Sequence, residues 1–270
     1  MGRTKKKNIQ TNKTKKNNKR NNFKIVVTTY NPGKYLDICL KSISKQNYKK
    51  YQVCVVDDAS TNSKEYIKSV IHKHCKKKNW SCLFKTLNEG PLKSRIDAIN
   101  LLNCKDNDVI VLIDGDDMLA NANVLNILNN YYQNNIYATF GNFRQRIGNN
   151  IRVQKMINCS LDFNNIAKNN SFRDSWHYSH LKTFKYKLFK AIDQEKSFKN
   201  NGEYFRSATD LAIMWPILEL AGNKIKCVDE HLYNYTLDHT ESFHNDLDKR
   251  AKQSENHLLI SKMDKYTPIV

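Results

Sequence analysis

Val109-Ile110-Val111-Leu112-Ile113-Asp114-Gly115-Asp116-Asp117 is the stretch that decides how this chain folds. Five consecutive apolar residues rich in Val and Ile, broken abruptly by acid and glycine, predict a strand buried on both faces of a parallel sheet. Three carboxylates at the end of such a strand are costly without a cation or ligand to share the site. In open α/β sheets the ligand crevice lies beyond the carboxyl ends of the strands. The spacing of Asp114 and Asp116 puts both on one side of an extended segment, an arrangement that suits a hard divalent cation shared with substrate phosphates. An acidic turn that merely closes the strand is the plain alternative.

Working outward, strand-like and helix-like segments alternate. Lys24–Thr28 predicts a strand, and Lys34–Lys45 a helix with Leu36, Leu40 and Ile43 on one face after the turn Asn31-Pro32-Gly33. Gln52–Val56 predicts a second strand ending in Asp57-Asp58, followed by a Lys-rich helix over 63–78 and a strand over Ser81–Thr86. The loop Asn88-Glu89-Gly90-Pro91 leads into a helix over 92–103 and then the 109–113 strand. Strands separated by helices of 10–15 residues imply right-handed βαβ units, so the clusters Thr28-Thr29-Tyr30-Asn31, Asp57-Asp58 and Asp114-Gly115-Asp116-Asp117 converge at one edge. Beyond residue 120 the pattern is less regular. Helices are expected over 121–134, 207–221 and 246–262, and strands over Ile136–Phe143, Lys224–Val228 and His231–Tyr235; 145–175 has no clear pattern.

Composition narrows the function classes. The 270 residues carry a net charge of +19, but 1–22 alone hold nine Lys or Arg and no acid. That segment has too little apolar surface to fold and is expected to be a disordered basic tail, open to RNA, anionic lipid or acidic protein. The other 248 residues are only mildly basic. Seven cysteines without a CxxC pair, several inside apolar runs, are expected as reduced packing residues in a cytosol-like compartment. No apolar leader and no window of membrane-spanning length occur, so a cytoplasmic protein is expected, or one of a virion or host cytoplasm were the chain viral. Low glycine with abundant lysine and asparagine suggests an AT-rich genome.

Four blocks then resemble a known family. Val26-Val27-Thr28-Thr29-Tyr30-Asn31-Pro32, Tyr35 to Ile43 with Gln46-Asn47-Tyr48, and Val55-Val56-Asp57-Asp58-Ala59-Ser60-Thr61 look like the opening of family-2 glycosyltransferases with the GT-A fold. Asn88-Glu89-Gly90, Arg95 and Asp114-x-Asp116-Asp117 continue the pattern in order, over residues 23–120. Downstream, His180-Leu181-Lys182-Thr183-Phe184-Lys185 resembles an "HLRTFK" block with Lys182 in place of Arg, and Ser207-Ala208-Thr209-Asp210-Leu211-Ala212 a "SATDLA" block. Leu232-Tyr233-Asn234-Tyr235 followed by His244 resembles the family's ending more loosely, since Ser-Phe precedes the histidine where the family has Asn-Asp.

The resemblance implies a Rossmann-like, mainly parallel sheet flanked by helices, with a donor half (23–120) and a less regular acceptor half (121–245). A C-terminal helix and tail (246–270) would follow. It implies that Asp58 meets the uracil edge, framed by Thr28, Tyr30 and Arg95, that Asp114 contacts the ribose and that Gly115 allows close backbone approach. Asp116, with His244, would hold Mn²⁺ or Mg²⁺ across the diphosphate, and Asp210 would be the general base. Trp176, His180 and Asp117 are weaker candidates for the acceptor or sugar side.

Each has a plainer reading beside it. Asp210 suits an N-cap for a helix starting at Leu211, Trp176 and His180 suit core packing, and Asp117 suits a cap for the 121–134 helix. The expected activity is inverting, metal-dependent transfer of a sugar from a nucleotide-diphosphate donor, a UDP-sugar, to a hydroxyl of a glycan, protein or lipid. The alternative is a nucleotide-sugar or nucleic-acid binding protein without turnover on the same fold.

Overall fold

The computed structural model describes residues 20–78, 80–148, 150–153, 159–238 and 247–270. The first half runs β1 (Phe23–Thr29), α1 (Tyr35–Ser44), β2 (Tyr51–Asp57), α2 (Lys64–Lys78), β3 (Ser81–Phe84), α3 (Pro91–Leu101) and β4 (Val109–Asp114). It continues through β5 (Met118–Leu119), α4 (Val124–Gln133), β6 (Ala138–Ile147), β7 (Asn150–Val153) and α5 (Phe163–Lys168). The remainder is β8 (Lys182–Lys185), α6 (Tyr186–Lys190), α7 (Gln194–Ser197), β9 (Lys199–Asn200), β10 (Glu203–Tyr204), α8 (Thr209–Ala221), β11 (Ile225–Thr236) and α9 (Leu247–Ser261).

Among the described residues nine strands form one sheet in the order β3-β2-β1-β4-β8-β6-β11-β5, with β7 on the edge of β6. The strands β3, β2, β1 and β4 are parallel, and β6 pairs parallel with β11. Strand β8 runs antiparallel between β4 and β6 and joins the two parallel sets. The chain builds β2 and β3 on one side of β1 and then returns to place β4 on the other. The topological switch point, where α/β sheets open a ligand crevice, therefore lies between β1 and β4.

Alternation along the strands divides the core. Val26, Cys54, Ile110 and Leu112 face α3 and α8, whereas Ile25, Val27, Val55 and Val111 face α1, α2 and α4. Leu36, Leu40 and Ile43 of α1 are fully buried on the second face, each stabilising the fold by roughly 1.5–3 kcal/mol. In α8 twelve of its thirteen residues are buried, and it fills the centre of the first face.

Several expectations change in the structure. Strand β8 was not expected, and Lys224–Val228 with His231–Tyr235 is one strand, β11, with an irregularity between Val228 and Tyr233. The pattern-poor 145–175 stretch contains the end of β6, β7 and the short helix α5, which Asp162 caps by accepting from the backbone N–H of Asn164 and Asn165. The basic-tail expectation for 1–19 lies outside the described residues, but Asn21 and Asn22 already belong to the domain. Asn22 donates its side-chain amide to Asp108, its carbonyl accepts from Val109, and the Asn21 backbone N–H donates to Asn129.

The C-terminal residues are packed rather than appended. Ile260 is buried and the Ile269 N–H donates to the Leu220 carbonyl. The cysteine expectation is corrected at one pair: Cys159 and Cys227, 68 residues apart, are joined by a disulfide, with Cα atoms 5.4 Å apart. Cys39, Cys54, Cys75, Cys82 and Cys104 are free. Among the described residues no helix is long and apolar enough to cross a membrane.

Candidate functional site

Thr28 on β1 stands in register with Asp114 on β4, so the two strand ends meet at the switch point. The turn beyond β4 folds back against β1: the Gly115 N–H donates to the Thr28 carbonyl at 2.9 Å. A Cβ on Gly115 would lie 2.5 Å from Oγ1 and 2.6 Å from Cβ of Thr29. Glycine is therefore required here by the approach of the turn to β1.

The second strand end is held by carboxylates. Asp57 accepts from the Ser60 hydroxyl at 2.5 Å, and Asn31 accepts from the backbone N–H of Thr61 and Asn62, tying the loops after β1 and β2 together. Asp58 is buried and takes the backbone N–H of Glu89 (3.1 Å) and Gly90 (2.8 Å), with Lys85 at 3.4 Å. It thereby seats the Asn88-Glu89-Gly90 loop. A carboxylate has about four acceptor positions, so capacity for another N–H remains. Tyr30, 38% exposed, stands at the rim. Arg206 donates to the carbonyl and side chain of Asn88 and straps this loop to the segment before α8.

Arg95 enters the site from α3. Its buried guanidinium bridges two carboxylates, donating to Oδ1 of Asp114 at 2.8 Å and to Oδ1 of Asp210 at 3.0 Å, with Thr209 Oγ1 at 3.1 Å. Lys182, at the start of β8, meets the other oxygen of Asp210 at 2.5 Å. Next to it, His180 Nε2 lies 3.4 Å from the Lys182 ammonium, and the His180 ring stacks on Tyr233 with centroids 4.7 Å apart. The Tyr233 hydroxyl in turn accepts the N–H of Asp114 at 3.1 Å. β4, β8, β11, α3 and α8 each contribute a side chain to one charged cluster.

The electrostatics follow from this crowding. Burial raises the pKa of Asp210, but Lys182 and then Arg95 outweigh it and hold the carboxyl below its usual range. Asp114 shows the same balance, burial being outweighed by Arg95 and Lys182. His180 is pushed down to about 3 by burial and by the Lys182 charge, so its ring is neutral.

Asp210 is not an N-cap: α8 begins at Thr209, and the carboxylate in its first turn is turned to Lys182 and Arg95. Asp117 caps no helix either, since Asn123 precedes α4. Asp117 is buried, accepts from the Thr236 N–H at 2.7 Å, and burial together with Asp116 and Asp114 raises its carboxyl well above the usual range. That bond ties it to β11. Trp176 is half-buried and packs edge-on against Tyr178 and Trp215.

Asp116 is half-buried beside this cluster, and its carbonyl accepts from Thr236 Oγ1 at 2.6 Å. His244 lies outside the described residues. Among the described residues no three His, Cys, Asp or Glu side chains gather as a ligand set. A hard cation nevertheless suits the oxygen donor of Asp116 when phosphate oxygens and water complete its shell, because Mg²⁺-type ions are commonly held by only one or two carboxylates. Sequence reasoning missed Lys182, Tyr233, Thr236 and Arg206 as site residues. The signals pointing to any of them were the Lys-for-Arg departure at Lys182 and the Leu232-Tyr233-Asn234-Tyr235 block that contains Tyr233.

The profile described as glycosyl transferase family 2 matches residues 24–196. A Haemophilus influenzae protein named "Uncharacterized glycosyltransferase" is 31% identical over 154 residues, 55% of this chain and 58% of that protein, so the chain spans under two thirds of that relative. Among solved structures, S. aureus TarS 1-349 in complex with UDP-GlcNAc superposes with a TM-score of 0.66 at 22% identity, covering 91% of this chain and 68% of that one. The mannosyltransferase PcManGT from Pyrobaculum calidifontis, in complex with GDP-Man and Mn²⁺, gives 0.60 at 17% identity, covering 93% and 67%. These likenesses match the mixed α/β, mainly parallel sheet to GT-A glycosyltransferase structures, and with 24–196 matched by the family profile the chain belongs to glycosyl transferase family 2.

Proposed function

We propose that this chain transfers a sugar from a UDP-sugar, bound with Mn²⁺ or Mg²⁺, to a hydroxyl acceptor with inversion, using Asp210 as general base. The observation that carries this reading is the Arg95 bridge between Asp114 at the switch point and Asp210 at the head of α8. Asp114 and Asp210 share one cation, which supports reading them as the donor-side carboxylate and the base. The TarS complex with UDP-GlcNAc supports a uridine donor, and the PcManGT complex supports a divalent cation.

The roles follow from the chemistry. Thr28, Tyr30 and Asp58 line the nucleoside side, where Asp58 still has acceptor capacity for a base N–H. Asp114 faces the ribose, and Asp116 holds the cation. Such a cation, when bound, stabilises the charge that develops on the leaving diphosphate. Asp210 takes the proton of the acceptor hydroxyl as that oxygen attacks the anomeric carbon.

A carboxylate gripped by two cations is a weak base. The diphosphate brings negative charge that competes for Arg95 and Lys182, and as their grip on Asp210 loosens its proton affinity rises.

The test is a thermal-shift screen of nucleotide sugars with and without Mn²⁺, followed by transfer assays on wild type and Asp210→Asn. A bound donor raises the melting temperature by mass action. Asp210→Asn should abolish transfer while leaving the UDP-induced shift intact. Wild-type protein that shifts with a UDP-sugar yet neither transfers nor hydrolyses it with any cation would instead favour a binding protein without turnover.

A further inference from the structure

The end of the sheet opposite the site carries a second charged feature. In βαβ crossovers the helices run back against the strands, so the C-termini of α1 and α2 lie over the strand starts. Lys45 follows α1, Lys76, Lys77 and Lys78 end α2, and Lys49 and Lys50 lead into β2; all six are exposed. Lys50 Nζ donates to the carbonyl of Arg20 at 2.9 Å, so the chain enters the domain at this same end. The residues before Arg20 contain eight Lys or Arg and no acid.

Several other surface lysines sit beside carboxylates: Lys41 with Asp37, Lys68 with Glu65, Lys190 with Asp106, Lys199 with Glu195 and Lys252 with Glu255. Among the described residues none of the six lysines at the pole has an acidic partner within salt-bridge distance. The helix dipole favours cations at the end of α2, but it does not account for Lys45, Lys49 and Lys50 joining them.

We propose that this pole is a docking face for an anionic phospholipid surface. Lysine ammonium groups act as point charges toward phosphate, whereas reading bases calls for guanidinium forks and stacking aromatics. Of the aromatic residues near this pole, Tyr48 and Trp80 are buried, and Tyr51 is half-buried with its hydroxyl donating to the Ile43 carbonyl at 3.2 Å. No large apolar side chain is exposed among the six lysines, so attachment would be electrostatic, reversible and salt-sensitive. Docked this way, the crevice between β1 and β4 points away from the lipid. The acceptor hydroxyl is then met on the side facing the aqueous phase.

The experiment is cosedimentation of the full chain with phosphatidylcholine vesicles, with and without about 30% phosphatidylserine, at about 0.1 M salt. Wild type should bind only the anionic vesicles and release as salt is raised. The variant Lys49→Glu/Lys50→Glu/Lys76→Glu/Lys77→Glu should lose binding at least tenfold, with its UDP-induced thermal shift unchanged as a check on folding. Undiminished binding by this variant overturns the proposal, as does loss only on deleting residues 1–19. Tighter binding of wild type to single-stranded or duplex nucleic acid than to the anionic vesicles at equal salt also overturns it.

Discussion

Lys182 on β8 and Asp210 at the head of α8 are 28 residues apart and meet at 2.5 Å. Lys182 is almost completely buried, so its ammonium is out of water and depends on this carboxylate. Removing the charge should act on both folding and catalysis. Lys182→Met leaves Asp210 with Arg95 alone, and breaking a partly buried pair of this kind should cost about 1–3 kcal/mol. Without Lys182, the acid limb of the transfer pH profile should move to higher pH, because a lowering influence on Asp210 is gone. Lys182→Arg keeps the charge and should keep the wild-type limb. A limb that stays put in Lys182→Met would rule out control of the base by this lysine.

Gly115 offers a test confined to packing. A Cβ there meets Thr29 well inside contact distance, and Thr29, the last residue of β1, is held in register with Asp57 on β2. Gly115→Ala should therefore destabilise the protein by about 1–3 kcal/mol, as overpacking in a rigid core does. It should also weaken UDP binding, since Asp114 and Asp116 flank the displaced residue. Wild-type stability of this variant in urea titrations would contradict the close approach.

The donor half was legible because its signals are local. Apolar runs and helical periodicity placed β1, α1, β2, α2, β3, α3 and β4 within a few residues of their observed limits. Strand β8 was hidden because Lys182 and Lys185 read as solvent-facing, and their burial is explained only by partners far along the chain. β11 was split because Asp229-Glu230 interrupts its apolar pattern without ending the strand. The same nonlocality hid the Cys159–Cys227 pair and the Arg95 bridge, whose two carboxylates lie 19 and 115 residues away. Residue types at the site could be read along the sequence, but which cation holds which carboxylate could not.

His180 makes stability depend on pH. Its pKa is depressed to about 3, against 6.5 for the free side chain. The unfolded chain therefore binds a proton between these values that the folded one refuses, and stability is lost as pH falls below about 6.5. Each pH unit in that window costs up to about 1.4 kcal/mol. Unfolding midpoints in urea at pH 7 and pH 5 should differ more for wild type than for His180→Asn. Equal differences would show that the histidine is not the group responsible.

The C-terminal segment reaches the site through Glu219. This fully buried carboxylate takes two bonds from Arg173, at 2.6 and 2.9 Å, and accepts the Tyr266 N–H at 2.9 Å. Arg173 also donates to the carbonyls of Ile260, Met263 and Asp264. One ion pair thus fastens residues 260–266 onto α8, whose first turn carries Asp210. Glu219→Ala strands the guanidinium in the core and should cost about 3–5 kcal/mol, whereas Arg173→Met/Glu219→Leu removes both charges and should recover most of that loss. In limited proteolysis, Glu219→Ala should be clipped near the C-terminus well before wild type does so. Because Asp114 and Asp58 sit on other elements, the same variant should lose transfer rate before it loses UDP affinity. A parallel fall in both would mean that α8 supports the donor pocket as directly as it supports the base.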